Sequence, residues 1–249
     1  MANAPIVSWY EGTNVKANEV TSTVNYGTVD ADSHSTTKTF YIWNNRNGKD
    51  DCSKMEEVVF TTRDRAGGTG ETVGSVVEAV RDNWFNIRVD SLSESAFEPV
   101  GRGGVGTKNP LGTRPLGTNG TTTNPNASTA PVWSATTSYS IGNYVQPKSS
   151  NGYIYKVVTA GISDGSEPSW VTVEGNAVFD GTVEYIVVKI VQTPASQEIL
   201  GFENKAKDDG TDAELAGGNF VKISVYADVP ITASAGKNLL VQRVSYRYV

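Results

Sequence analysis

At 249 residues and 26.6 kDa the chain is long enough for one large core or two smaller ones. A net charge of −6 and a pI near 4.9 leave no broad positive field to attract a phosphate backbone, which excludes nucleic acid as a principal partner. One cysteine, Cys52, excludes an intrachain disulfide framework and a Cys-based zinc cluster; it reads as a small buried side chain in a protein folded in a reducing cytosol.

The opening "MANAPIVSWYEG" lacks a basic start followed by an apolar run, and no later segment approaches the roughly 20 apolar residues of a membrane helix, so no membrane insertion is expected. In "DADSHSTTKT" an extended backbone would set Asp30 and Asp32 on one face, roughly 6.5–7 Å apart from two strand rises. Paired carboxylates can serve glycoside hydrolysis or bind calcium. The remaining calcium-ligand pattern is missing, and the pair reads as solvated. His34, the single histidine, has no G-x-S-x-G elbow to serve and reads as a solvated loop residue.

Strands are predicted at 37–45 ("TKTFYIWNN"), 56–64 ("EEVVFTTRD") and 83–92 ("NWFNIRVDSL"), separated by turn-rich pieces such as "NNRNGKDD". Between the last two, "GGTGETVG" (67–74) is one residue out of register with G-x-G-x-x-G and no βαβ succession follows, so it reads as a turn. A short helix is predicted over 71–83, where Val73, Val76, Val77 and Val80 recur at helical spacing. "GRGGVGTK" (101–108) fails the P-loop template because Thr107 separates Gly106 from Lys108. It opens a Gly/Thr/Pro-rich stretch with little to bury, read as a linker.

Near the C-terminus, "FVKISVYADV" (220–229) alternates strictly: Val221, Ile223, Val225, Ala227 and Val229 on one face, Lys222, Ser224, Tyr226 and Asp228 on the other. "LLVQRVSYRYV" alternates too, with Leu240, Val244, Tyr246 and Tyr248 opposing Val241, Arg243, Ser245, Arg247 and Val249. Too few strands follow the middle region to stand alone, so the two ends are expected to form one sandwich interrupted by an insert.

Within that insert the order is Trp133, Tyr139, "IGNYV" (141–145), "NGYIYKV" (151–157), "EPSW" (167–170) and "DGTVEYIVV" (180–188). This resembles the small chitin-binding-like carbohydrate-binding modules of families five and twelve, in the variants that recur in phage tail and virion proteins. The matching positions are Trp133, Tyr139, Gly142, Val145, Gly152, Tyr155, Pro168 and Trp170. The resemblance implies a compact β fold whose exposed aromatics stack on the apolar C–H faces of sugars. The candidate carbohydrate-binding residues are Tyr144, Tyr153, Trp133, Tyr155 and Trp170; Tyr144 and Tyr153 are the candidates for exposure, while Trp133, Tyr155 and Trp170 serve equally well as the core of so small a domain. The flanking "VSWYEGTNV", "FYIWNN" and "VQRVSYRYV" are similar in general style to structural proteins of tailed phages.

The predicted fold is therefore all-β: an antiparallel β-sandwich, jelly-roll-like, with one short helix and an inserted small β module. Residues 1–100 plus 192–249 would form the discontinuous sandwich, 101–130 a linker, and 131–191 the carbohydrate-binding-module-like insert. The resemblance implies a non-enzymatic virion component, in a tail tip, baseplate or fibre, that presents the insert for host adsorption. It would be made in the host cytoplasm and partnered by other virion proteins, copies of itself and host-surface glycans. No catalytic residue, metal or cofactor is expected. Two alternatives remain: a capsid decoration or purely architectural protein using the insert for subunit contacts, and an accessory chain of a glycan-degrading enzyme, which would need a carboxylate pair in a cleft.

Overall fold

The computed structural model describes residues 3–102 and 111–248; most of "GRGGVGTK", with Asn109 and Pro110 after it in the expected linker, and Val249 lie outside the described residues. The chain forms two compact units, Met1–Thr121 with Thr193–Val249, and Thr122–Gln192. The first holds β1 (Val7–Glu11), β2 (Ser33–His34), β3 (Lys38–Asn44), β4 (Glu56–Asp64), a one-turn helix α1 (Glu78–Arg81), β5 (Phe85–Val89), β6 (Glu98–Val100) and β7 (Arg114–Pro115). The second holds β8 (Thr122–Thr123), β9 (Ser138–Tyr139), β10 (Tyr144–Val145), β11 (Tyr153–Thr159), β12 (Gly161–Ile162), β13 (Ala177–Asp180), β14 (Val183–Lys189) and β15 (Val191–Gln192). The first unit resumes with β16 (Phe220–Val229) and β17 (Leu240–Arg247). No helix among the described residues is long and apolar enough to cross a membrane.

In the first unit the larger sheet runs β1-β3-β16-β5-β6, with β2 also paired to β16, and the smaller runs β17-β4-β7; the pairings are antiparallel. β16 shows why the sequence folds this way. Its odd-numbered face, Val221 to Val229, is buried, and Val221, Ile223 and Val225 are completely so. They meet Phe40 and Ile42 from β3, Ile87 and Val89 from β5, and Val58 and Phe60 from β4 in one core shared by the two sheets. Each such side chain contributes about 1.5–3 kcal/mol on burial, and a one-residue slip of β16 would turn the whole row to solvent. The result is a sandwich-like all-β unit, with Leu240, Val244 and Tyr246 of β17 closing over its core.

A buried amide network ties the two sequence halves of this unit together. The Asn45 side-chain N–H donates to the carbonyls of Gly201 at 2.7 Å and Asp50 at 2.8 Å. Asn204 donates back to the Asn45 carbonyl at 2.7 Å, and Asn219 donates to the Phe202 carbonyl at 2.8 Å. Cys52 lies beside this network, its thiol donating to Asn44 Oδ1 at 3.2 Å; burial pushes the thiol pKa up.

Two sequence expectations are corrected here. The helix predicted over 71–83 shrinks to Glu78–Arg81: Val77 and Val80 are buried, whereas Val73 is 97% and Val76 63% exposed. The cause is the buried carboxylate of Asp64. It accepts the backbone N–H groups of Ala66, Gly68 and Gly70 and the Thr72 hydroxyl, all at 2.7–3.0 Å, and winds residues 66–72 into a loop with Gly67 and Gly70 at positive φ. This confirms the turn read for "GGTGETVG" but takes its residues from the helix. Burial of Asp64 opposes its charge, yet the Thr72 and backbone donations outweigh it and hold the carboxyl below the usual aspartate range. A depressed native pKa adds stability above the unfolded value, near 3.8, that is lost as pH falls through the native one. The thermal midpoint of Asp64→Asn should therefore lie well below wild type at neutral pH, with the gap closing under about pH 4 as measured by circular dichroism.

The expected linker 101–130 is, from residue 111 on, packed structure. Arg114 and Pro115 pair with β4, the Leu116 N–H donates to the Val58 carbonyl at 2.8 Å, and the Leu116 side chain is completely buried. Thr118 donates to the Gly217 carbonyl at 3.1 Å. Gly120 lies so close to Gly217 that a Cβ there would sit 2.4 Å from that residue's carbonyl oxygen. Residues 122–130 belong to the second unit, where β8 pairs with β15. A sparse apolar pattern hid this segment because backbone contacts, made at glycines, hold much of it in place.

Candidate glycan-contact site

The second unit is built on a four-stranded sheet, β10-β11-β14-β13, with the short ribbon β12-β9 beside it. Alternation divides the sheet into two faces. Val145, Tyr155, Val157, Val178, Val183, Tyr185 and Val187 point into the core with Trp133 and Tyr139. Gly142 and Gly152 sit at φ 87° and 86°, which L side chains adopt at a cost.

Trp133 and Tyr155, two of the five aromatics proposed from sequence, are only 2% and 0% exposed, and neither presents a face to a sugar. The Trp133 indole N–H donates to Asp180 Oδ2 at 2.7 Å; the other oxygen of Asp180 takes the Asp164 N–H at 2.8 Å. The Tyr155 hydroxyl accepts from the Asn151 amide at 2.7 Å and donates to the Val171 carbonyl at 2.9 Å, and burial raises its pKa. These are framework groups, for the reason that made them ambiguous in sequence: a unit this small fills its core with aromatics.

Tyr144 and Tyr153 are half-buried rather than exposed, and the sheet holds them apart. Tyr144 is opposite Lys156, on the outer face, with the Lys156 ammonium 5.7 Å from its ring centre. Tyr153 shares the face of Tyr155 and Val157 and packs at the rim of the core. One sugar cannot stack on both.

Trp170, the fifth candidate, is half-buried at that same core. Its ring stacks on Tyr155, centroids 4.2 Å apart at 37°, and meets Tyr185 edge-on at 5.6 Å. Its indole N–H donates to Glu167 Oε1 at 2.8 Å, and that oxygen also takes the Lys148 N–H at 2.8 Å. The donation from Trp170, followed by that from Lys148, holds the Glu167 carboxyl below its usual range. Asn151 accepts the Tyr153 N–H at 3.1 Å with the same side chain that steers the Tyr155 hydroxyl. The core thus carries two half-buried rings, Tyr153 and Trp170, with Asn151 and Glu167 as the polar groups bonded beside them. Sequence reasoning missed these two polar residues, although Glu167 stands three residues before Trp170 in "EPSW".

The carboxylate pair is solvated, as expected, but its backbone is not extended. Asp32 has φ 60°, so residues 30–32 turn instead of extending, and Asp30 and Asp32 are both exposed. His34 is exposed but lies on a strand, β2, with its ring against Tyr226. No family model, curated protein or solved structure matches this chain.

Proposed function

We propose that the chain is a non-enzymatic structural component of a tailed-phage particle whose second unit contacts glycans through Tyr153 and Trp170. The observation that carries the glycan contact is the seating of Trp170, half-exposed yet fixed by the Tyr155 ring beneath it and by Glu167 at its N–H. A ring held before the ligand arrives loses little freedom on stacking, and the neighbouring amide and carboxylate supply hydrogen bonds for sugar hydroxyls. The phage assignment rests on the resemblance of the insert and on the general style of the sandwich strands. Weak single-site stacking would be multiplied by the many copies of a particle component.

Titration with chitin oligosaccharides, followed by tryptophan fluorescence, is expected to saturate. Tyr153→Ala should weaken binding about two- to tenfold while the near-ultraviolet circular dichroism is retained. Silence of the wild-type protein across a broad glycan array would overturn the glycan contact, and absence of the chain from purified virions by gold-labelled electron microscopy would overturn the particle assignment.

One observation favours the architectural reading of the same module. On its outer sheet face Phe179 is 71% exposed, and Tyr144 and Ile186 share that face through the register Tyr144–Lys156–Ile186. Such a face suits contact with a neighbouring subunit, and under this reading the array stays silent while virions still label.

A further inference from the structure

On the outer face of the larger sheet, β2 crosses the end of β16 so that His34 lies directly opposite Asp228, and Tyr226 falls two residues away on the same side. Phe97, in the segment leading into β6, comes up against Tyr226. The three rings are steeply set: His34 meets Tyr226 at 5.8 Å and 67°, and Phe97 meets it at 4.9 Å and 73°. With Thr37 and Asp228 they line an open recess of about 320 Å³, at the small end of ligand pockets.

Two observations define its chemistry. Rings set this steeply line the recess as walls rather than as one flat platform, and a cation seated over the face of such a ring is attracted by its quadrupole. The Asp228 carboxylate, exposed at the rim, takes part in no side-chain ion pair or hydrogen bond among the described residues. The Arg88 guanidinium lies 4.8 Å from the Phe97 ring centre and is paired with Asp90 at 2.6 Å. The ring cluster therefore already attracts one positive group while an uncompensated negative one remains at its edge.

We infer that the His34–Phe97–Tyr226 recess binds an organic ammonium group, with Asp228 as its counter-charge. An alkylated or quaternary nitrogen fits best, because its weak hydration makes transfer from water to aromatic walls cheap. Neither the glycan contact nor the particle assignment enters this inference.

His34 is the only histidine, so its ring protons give one isolated set of NMR signals inside the recess. At fixed pH, choline is expected to shift them saturably with a dissociation constant in about the millimolar range. The neutral isostere 3,3-dimethylbutan-1-ol should not. A parallel titration with Nα-acetyl-lysine amide distinguishes a small free cation from a lysine side chain of a neighbouring protein, according to which binds more tightly. Asp228→Asn, at an exposed position that leaves the fold intact, should weaken binding at least about fivefold, and Tyr226→Ala should abolish it. The inference is overturned if neither cation shifts the His34 signals, if the neutral isostere shifts them equally, or if Asp228→Asn binds as wild type. Displacement of choline by N-acetylglucosamine at comparable concentration would make the recess a sugar site and overturn it too.

Discussion

Arg114→Met is expected to destabilise the first unit by about 3–5 kcal/mol in urea unfolding. The Arg114 side chain is 4% exposed and bonds through Nη2 to Glu94, itself only 14% exposed; Glu98 follows at 3.5 Å from Nη1. Glu94 is held in place by a second bond, accepting the Val89 N–H at 3.0 Å, so it cannot swing to water when the guanidinium is removed. A largely buried carboxylate would then lose the guanidinium it bonds inside the protein, against a total stability of about 5–15 kcal/mol for a typical domain. The cost should arise from the carboxylate charge kept inside more than from lost attraction. Arg114→Met combined with Glu94→Gln should accordingly recover at least about 1 kcal/mol of the loss, and additive losses in the double mutant would contradict this account.

Asp180→Ala should unfold the second unit selectively, costing about 2–4 kcal/mol. The carboxylate is 3% exposed and accepts from the Trp133 indole and the Asp164 amide. Alanine would leave the buried Trp133 indole N–H without an acceptor and remove the acceptor of the Asp164 amide, in a unit of 71 residues, counted from Thr122 to Gln192, where so little surface is buried that a loss of this size consumes most of the stability. Calorimetry should show one transition moved to low temperature and the transition of the first unit unchanged. Asp180→Asn keeps one acceptor oxygen and should lose less. Simultaneous loss of both transitions would show that the units do not unfold separately.

Where side chains repeat with the period of the backbone, the sequence was legible. The strand at 56–64 matches β4 and that at 220–229 matches β16, because alternating burial is imposed residue by residue. The helix over 71–83 failed because a spacing of valines carries no trace of a carboxylate at Asp64 that gathers the intervening amides. Arg114 and Leu116 were hidden for a related reason: their burial depends on contacts with β4 and on the carboxylate of Glu94, far away in sequence. In the candidate site the aromatics were readable as residues but not as surfaces. Half-burial at Trp170 and full burial at Trp133 go with indole bonds to Glu167 and Asp180, acids whose partners only the folded chain reveals.

The position of β16 between β3 and β5 imposes an order on synthesis. Its neighbours leave the ribosome more than a hundred residues earlier, and until Phe220–Val229 emerges each presents an open row of amides and carbonyls with nothing to pair with. The intervening second unit is complete in itself by Gln192 and can close while the first half waits. The vulnerable species in the cell is thus a nascent chain with one finished knob and an unzipped sheet, and its yield would depend on how well chaperones shield those two edges.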